Sequence, residues 1–234
     1  MLPLVLIAWA VAGCGSKDPP PVSEVPKPEP KGDPAPPPKP REPGGRPQEP
    51  TPAPIPPEQL ARLTELETRG ASISGPLPTG GYVVGLGRDL DAAALLPLFD
   101  GLTCVVELRI ESDALTDDRL KYLAELARLE DLALLRCEKL TGVGFASFGG
   151  LARLKKFSAT ECPLADEACK HLAKCLALEE VSLSRTKVTD AGLRELAALP
   201  ALAALSLYET PITGTGFAAP GWGKLKLLDA PGAP

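Results

Sequence analysis

Placing Leu178, Val181 and Leu183 over Leu202, Leu205 and Leu207 reveals a pattern, L-x-x-L-x-L, that returns after about 24 residues. A period of that length constrains the fold more than any other feature of this chain. The frame extends backward through Leu154, Phe157 and Ala159, then Leu129, Leu132 and Leu134, then Val105, Leu108 and Ile110, and more weakly Val84 and Leu86. A partial copy begins at Leu225 and Leu228. Within one unit, "VSLSRTKVTDAGLREL", apolar residues first alternate and then recur every third position. Alternation is the period of a strand, and the spacing of Leu193, Leu196 and Leu199 marks the inward face of a helix, so each unit reads as strand, turn and returning helix. Asp190 or Thr189 is placed to cap that helix, and Gly192 permits a tight entry. One such unit cannot bury its own apolar face; about six stacked copies supply a core.

The runs "TDAGLRELAAL", "TDDRLKYLAEL" and "CEKLTGVGFASF" resemble the bacterial leucine-rich repeats common in planctomycete-type proteins and the cysteine-containing repeats of F-box-associated proteins. That resemblance covers about 150 residues and implies an α/β fold, a right-handed solenoid like ribonuclease inhibitor. It does not carry over a ubiquitin-ligase role, because no F-box-like helical segment precedes the repeats. Fold alone does not name a function beyond binding.

Only part of the chain can belong to such a core, since the 28 prolines in 234 residues crowd toward one end. "MLPLVLIAWAVAGCGSK" is an apolar run too short to span a bilayer and typical of an export signal. Val11-Ala12-Gly13-Cys14 resembles the lipobox of bacterial lipoproteins, which implies lipid on Cys14, although no Lys or Arg precedes the apolar run. From Pro19 to Pro57 nearly every second residue is proline with balanced charges between, a composition that favours extended polyproline II with a reach on the order of 100 Å. "PPEQLARLTELETRG" then reads as one amphipathic helix with Leu60, Leu63 and Leu66 on a face and Gly70 at its end, and "ASISG" and "YVVGLG" read as short strands. The expected organisation is a signal over 1–14, a disordered Pro-rich tether over 15–57, a capping helix and strand over 58–80, and the repeats over 81–234.

A formal charge of -5 without acidic or basic blocks, and few aromatics, argue against a nucleic-acid platform. Cys137 and Cys162 fall at the position held by Thr186 and Thr210, while Cys169 and Cys175 replace Leu193 and Leu199, so they read as small core hydrophobes. A Cys137–Cys162 bridge between neighbouring rungs is allowed by distance, though ladder side chains point in parallel. No C-x-x-C occurs, and the sole histidine, His171, falls in a repeat helix just before Leu172; no metal is expected. The glycines of "TGVGF" and "TGTGF" are in register with "TDAGL" and lack the following Lys-Ser/Thr of a phosphate loop. No nucleophile, base and acid constellation appears, so the chain reads as a non-enzyme needing no cofactor.

The strands' non-leucine positions are free to bind. Two residues beyond the second leucine of L-x-L stand Ser112, Arg136, Glu161, Arg185 and Glu209, whose alternating charges either pair along the ladder or meet a partner. With Arg109, Glu111, Thr160 and Tyr208 they form a candidate recognition strip, Tyr208 being the natural anchor. Ser158, Ser182 and Ser206 form a second, small polar strip beside Ser184. "AAPGWGK" around Trp222 reads as an end cap. The expected whole is a lipid-anchored module of the bacterial cell envelope, at the outer-membrane or periplasmic face, that binds a protein partner and neither nucleic acid nor a small-molecule substrate. The alternatives are a structural envelope spacer with no discrete ligand and, last, an enzyme.

Overall fold

The computed structural model describes residues 55–230. The signal-like run, Cys14 and nearly all of the Pro-rich stretch lie outside the described residues. The helix α1 (Pro57–Thr68) opens on proline, which suits a first turn where the N–H is unneeded. It stops where Gly70 takes φ +99, with Gly70 N–H on the Glu67 carbonyl (2.9 Å) and Ala71 N–H on that of Leu66 (3.0 Å). Leu63 and Leu66 are buried where α1 packs against β1 and the turn Leu96–Phe99, but Leu60 is 50% exposed.

β1 (Ser72–Ser74) pairs antiparallel with β2 (Tyr82–Leu86). From there β3 (Val105–Glu111), β4 (Asp131–Leu135), β5 (Lys156–Thr160), β6 (Glu180–Ser182), β7 (Ala204–Ser206) and β8 (Leu227–Asp229) add in chain order, all parallel. Val84, Leu108, Leu132, Phe157, Val181, Leu205 and Leu228 share one register, residue for residue the repeat frame. All but Leu228 are buried; Leu228 is 47% exposed because β8 is the sheet edge and the described chain lays no further rung over it. Sheet order equal to chain order, with a return segment after each strand, is the leucine-rich-repeat solenoid.

Return segments differ in kind. α2 (Ala92–Leu95), α3 (Asp166–Leu172) and α4 (Asp190–Leu196) are α-helical, whereas Asp117–Leu123, Val143–Gly150 and Thr215–Ala218 are 3-10 turns, not the helices the repeat suggested. The 3-10 form repeats every three residues, so Leu120 and Leu123, or Phe145 and Phe148, still stack inward. Four glycines in Val143–Gly150 and its entry disfavour an α-helix there. The buried rings of Phe145 and Phe148 stack at 4.9 Å, and Phe157 meets Phe145 edge-on at 5.4 Å. Cys104, Cys137, Cys162, Cys169 and Cys175 are all buried thiols, burial holding Cys175 up at about 11.

Neighbouring rungs are also joined by carboxylates. Asp190 does not cap its own helix; Thr189 does, accepting from Ala191 N–H at 3.3 Å. The Asp190 carboxylate instead reaches the next rung, accepting from Thr213 N–H (2.8 Å), Thr213 Oγ1 (2.7 Å) and Gly216 N–H (2.7 Å). Asp166 treats Thr189 and Gly192 the same way, and Asp117 treats Thr141, Gly142 and Gly144 likewise. Where Gly142 stands in place of the accepting aspartate, the residues facing it on the next rung are Ala165 and Ala168, and no bracket forms. The glycines that donate to these carboxylates are needed: a Cβ at Gly144 would lie 2.4 Å from the Asp117 carbonyl oxygen.

Candidate recognition surface

One sheet face carries the return segments and the other is bare. Because side chains alternate across a strand, the bare face shows three strips. The first is Glu107, Asp131, Lys156, Glu180, Ala204 and Leu227; the second is Gly85, Arg109, Ala133, Ser158, Ser182, Ser206 and Asp229. The third follows Glu111, Leu135 and Thr160 into Ser184 and Tyr208, the ladder continuing as Glu161 N–H on the Ser184 carbonyl and Arg185 N–H on that of Tyr208. Arg109 and Ser182 thus share a strip with Ser158 and Ser206, while Glu111, Thr160, Ser184 and Tyr208 share another.

Beyond the third strip the chain bends inward through Arg136, Glu161, Arg185 and Glu209, all with left-handed φ, between 49 and 56. Non-glycine residues avoid that region, yet the bend lets the next residue, Cys137, Cys162, Thr186 or Thr210, turn into the core. Thr186 and Thr210 Oγ1 donate to the carbonyls of Leu183 and Leu207 at 2.8 Å, and Cys137 Sγ to that of Leu135 at 3.3 Å. Ser112 belongs to this buried column and not to the charge ladder: it is 1% exposed and, unlike Arg136, Glu161, Arg185 and Glu209, it does not take a left-handed φ, so its own side chain turns inward.

Glu111 takes the vacated ladder place. Arg136 Nη1 lies 2.8 Å from Glu111 and its Nε 3.2 Å from Glu161; Arg185 Nη1 lies 2.9 Å from Glu161 and its Nε 2.7 Å from Glu209. The five charges form one continuous zipper, and hydrogen bonds from Arg185 and Arg136 hold Glu161 below the usual carboxylate range. The Arg185 guanidinium also lies 5.7 Å from the Tyr208 ring centre. These side chains are accessible but already partnered.

The bare face also carries a groove of about 400 Å³, which runs over β5–β8, floored by Ser158, Ser182 and Ser206 and walled by Asp131, Lys156, Glu180, Ala204, Leu227 and Asp229. Its floor is the second, small polar strip of the sequence reading, whereas its walls belong to neither strip and none of its lining residues belongs to the charge ladder. The missed signal was available, since the residue just before the second leucine of L-x-x-L-x-L alternates onto the same face as the serine two positions on. Lys156 Nζ pairs with Glu180 at 3.0 Å. Burial and the neighbouring Glu107 charge raise the Asp131 carboxyl above its ordinary value, Lys156 offsetting part of this.

In the segment between β7 and β8, Trp222 packs on Phe217 with ring centres 5.0 Å apart and donates its indole N–H to the Gly216 carbonyl at 3.4 Å; "AAPGWGK" thus precedes the last strand and does not lie over it. His171 reaches Glu167 at 3.4 Å through Nε2, and its Nδ1 is buried without a hydrogen-bond partner.

No protein-family model and no curated protein matches the chain. Among solved structures it is similar to an internalin C2 from Listeria monocytogenes, at 19% identity and TM-score 0.43, over 58% of this chain and 65% of that one. It is similar also to an internalin (inlF) from the same organism, at 15% identity and TM-score 0.39, over 62% and 46% of the two chains. A third is the leucine-rich-repeat ectodomain of the receptor kinase SOBIR1 from Arabidopsis thaliana, at 16% identity and TM-score 0.38, over 76% and 94%. The chain spans less than two thirds of the length of either internalin.

Proposed function

We propose that this chain is a protein-recognition module which meets its partner on the bare face of the repeat sheet. The observation that carries this reading is the groove over β5–β8: a sheet face floored by serines, with no element of the described chain laid over it. A sheet left open on one side, with small residues at its centre, lets another backbone approach closely. The lipobox-like Cys14 and the Pro-rich stretch fit a module tethered to a bacterial envelope membrane, as in planctomycete-type repeat lipoproteins. Membrane fractionation of a Cys14→Ser variant tests that tether, and unchanged association would remove it from the proposal.

The competing reading, a structural spacer, draws support from the zipper, whose charges satisfy each other without a partner. Photocrosslinking in intact cells separates the two. A photoreactive residue in place of Ser182 is expected to yield one discrete adduct that the same residue at exposed Arg194, on α4, does not. A diffuse smear from both positions would favour the spacer.

A further inference from the structure

Resting on the reading that the bare face is the recognition surface, we propose that the groove takes an extended segment of a partner protein carrying two basic residues about six positions apart. Three of the charged side chains lining the groove are acids, Asp131, Glu180 and Asp229, against one base, Lys156. Lys156 is taken up by Glu180 at 3.0 Å, whereas neither Asp131 nor Asp229 has an ion-pair partner among the described residues. The unmatched charges therefore sit at the two ends. Arg109, on the strip beside Asp131, offsets part of the acid at the β4 end, and Glu107, one rung before Asp131, adds to it.

Spacing sets the length of the occupant. From Asp131 on β4 to Asp229 on β8 is four strand steps and two residues along the strand, roughly 20 Å at about 4.8 Å per step. An extended chain rising about 3.3 Å per residue covers that distance in about six residues, and side chains six apart face the same way. Between the ends, no Ser158 or Ser206 hydroxyl bonds a described protein group, and Ser182 touches only Ser184, at 3.3 Å. Those hydroxyls are free for the backbone of an incoming chain. Leu227, 62% exposed on the wall beside Asp229, offers apolar contact to an aliphatic side chain between the cations. An acidic segment is disfavoured by the same surplus charge.

The test uses the full chain and a labelled peptide, acetyl-Lys-Ala-Val-Ala-Val-Ala-Lys-amide, followed by fluorescence anisotropy at low ionic strength. The expected result is saturable binding that Asp131→Asn and Asp229→Asn each weaken by about two- to fivefold, the range of single exposed charge pairs. The same peptide with glutamate for both lysines is expected not to bind. Equal binding of both peptides, or no effect of either substitution, would overturn the inference. Crosslinking from Ser182 keeps this failure apart from that of the underlying reading. A discrete adduct whose captured segment lacks paired basic residues refutes the charge assignment alone. No discrete adduct refutes the recognition surface, and the occupant with it.

Discussion

Asp117, Asp166 and Asp190 each bond a threonine and a glycine on the following rung, so one residue type repeats one inter-rung contact. The contact depends on the glycine as much as on the carboxylate. At Gly144 an added methyl would meet the Asp117 backbone at 2.4 and 2.8 Å, and backbone cannot step aside as a flexible side chain does. Gly144→Ala is therefore expected to lose about 1–3 kcal/mol in urea unfolding. At about 2–4 °C per kcal/mol for a chain of this size, that is a visible fall in melting temperature. Gly149→Ala, with nothing within 4 Å of the new methyl, is expected to be near neutral. Equal effects at the two sites would mean that helix propensity, not inter-rung approach, sets the cost. The scaffold role of "TDAGL" was legible, because its glycine kept register across repeats. The target of the aspartate was not, since capping rules look along one chain segment while this carboxylate reaches a rung 23 to 26 residues away. The pairing of Gly142 with Ala165, where the other rungs pair Asp with Thr, is the trace it left in the sequence.

The ladder of Glu111, Arg136, Glu161, Arg185 and Glu209 acts as one element, because each arginine spans two acids. Alternation of charge was readable from the repeat, and so was the option that it satisfies itself. The entry point was misplaced by one residue at Ser112, because the left-handed bend that turns the other four outward is absent there, and a repeat count does not register a backbone angle. Arg185→Glu would set like charges on three successive rungs. It is expected to lower the melting temperature at low salt, and the loss is expected to shrink at high salt, where exposed charges are screened. Inverting all five signs together is expected to restore most of the loss, since the order of attraction is the same read in reverse. Calorimetry of the single and the fivefold variant at two salt concentrations checks this. Unchanged melting of the single variant would show the zipper to be energetically silent and free for a partner. A reversal here reports on rung cohesion before it reports on binding, so groove residues are the cleaner probes of function.

Over the whole molecule, the L-x-x-L-x-L frame predicted sheet register correctly because one constraint, burial of alternate residues on parallel strands, acts identically in every rung. The serine floor of the groove was legible as a strip, but its walls were not, because they depend on which residues stand side by side across four rungs, a property of the stack and not of any unit. The stack also links the brackets and zipper into one response to acid. Burial works against the Asp117 charge, but the N–H groups of Gly144, Thr141 and Gly142 and the Thr141 hydroxyl outweigh it and hold its pKa below the ordinary value. Asp190 is held well below by Gly216 N–H, the Thr213 hydroxyl and Thr213 N–H, and Glu209 below by Arg185 and Tyr208. Depressed carboxylates add stability that is complete above the unfolded value of about 4 and is lost as pH falls through the folded ones. Asp131 has the opposite sign: its raised pKa costs stability while it is ionised and is relieved on protonation. The lowered groups outnumber it, so the solenoid is expected to hold its stability down to about pH 4 and to lose it below. Asp117→Asn with Asp190→Asn is expected to be less stable at neutral pH and to lose less on acidification, since the two protons taken up on unfolding are gone. Urea unfolding of both proteins between neutral pH and about pH 3 measures the two slopes; equal slopes would show that the inter-rung carboxylates do not hold the rungs together.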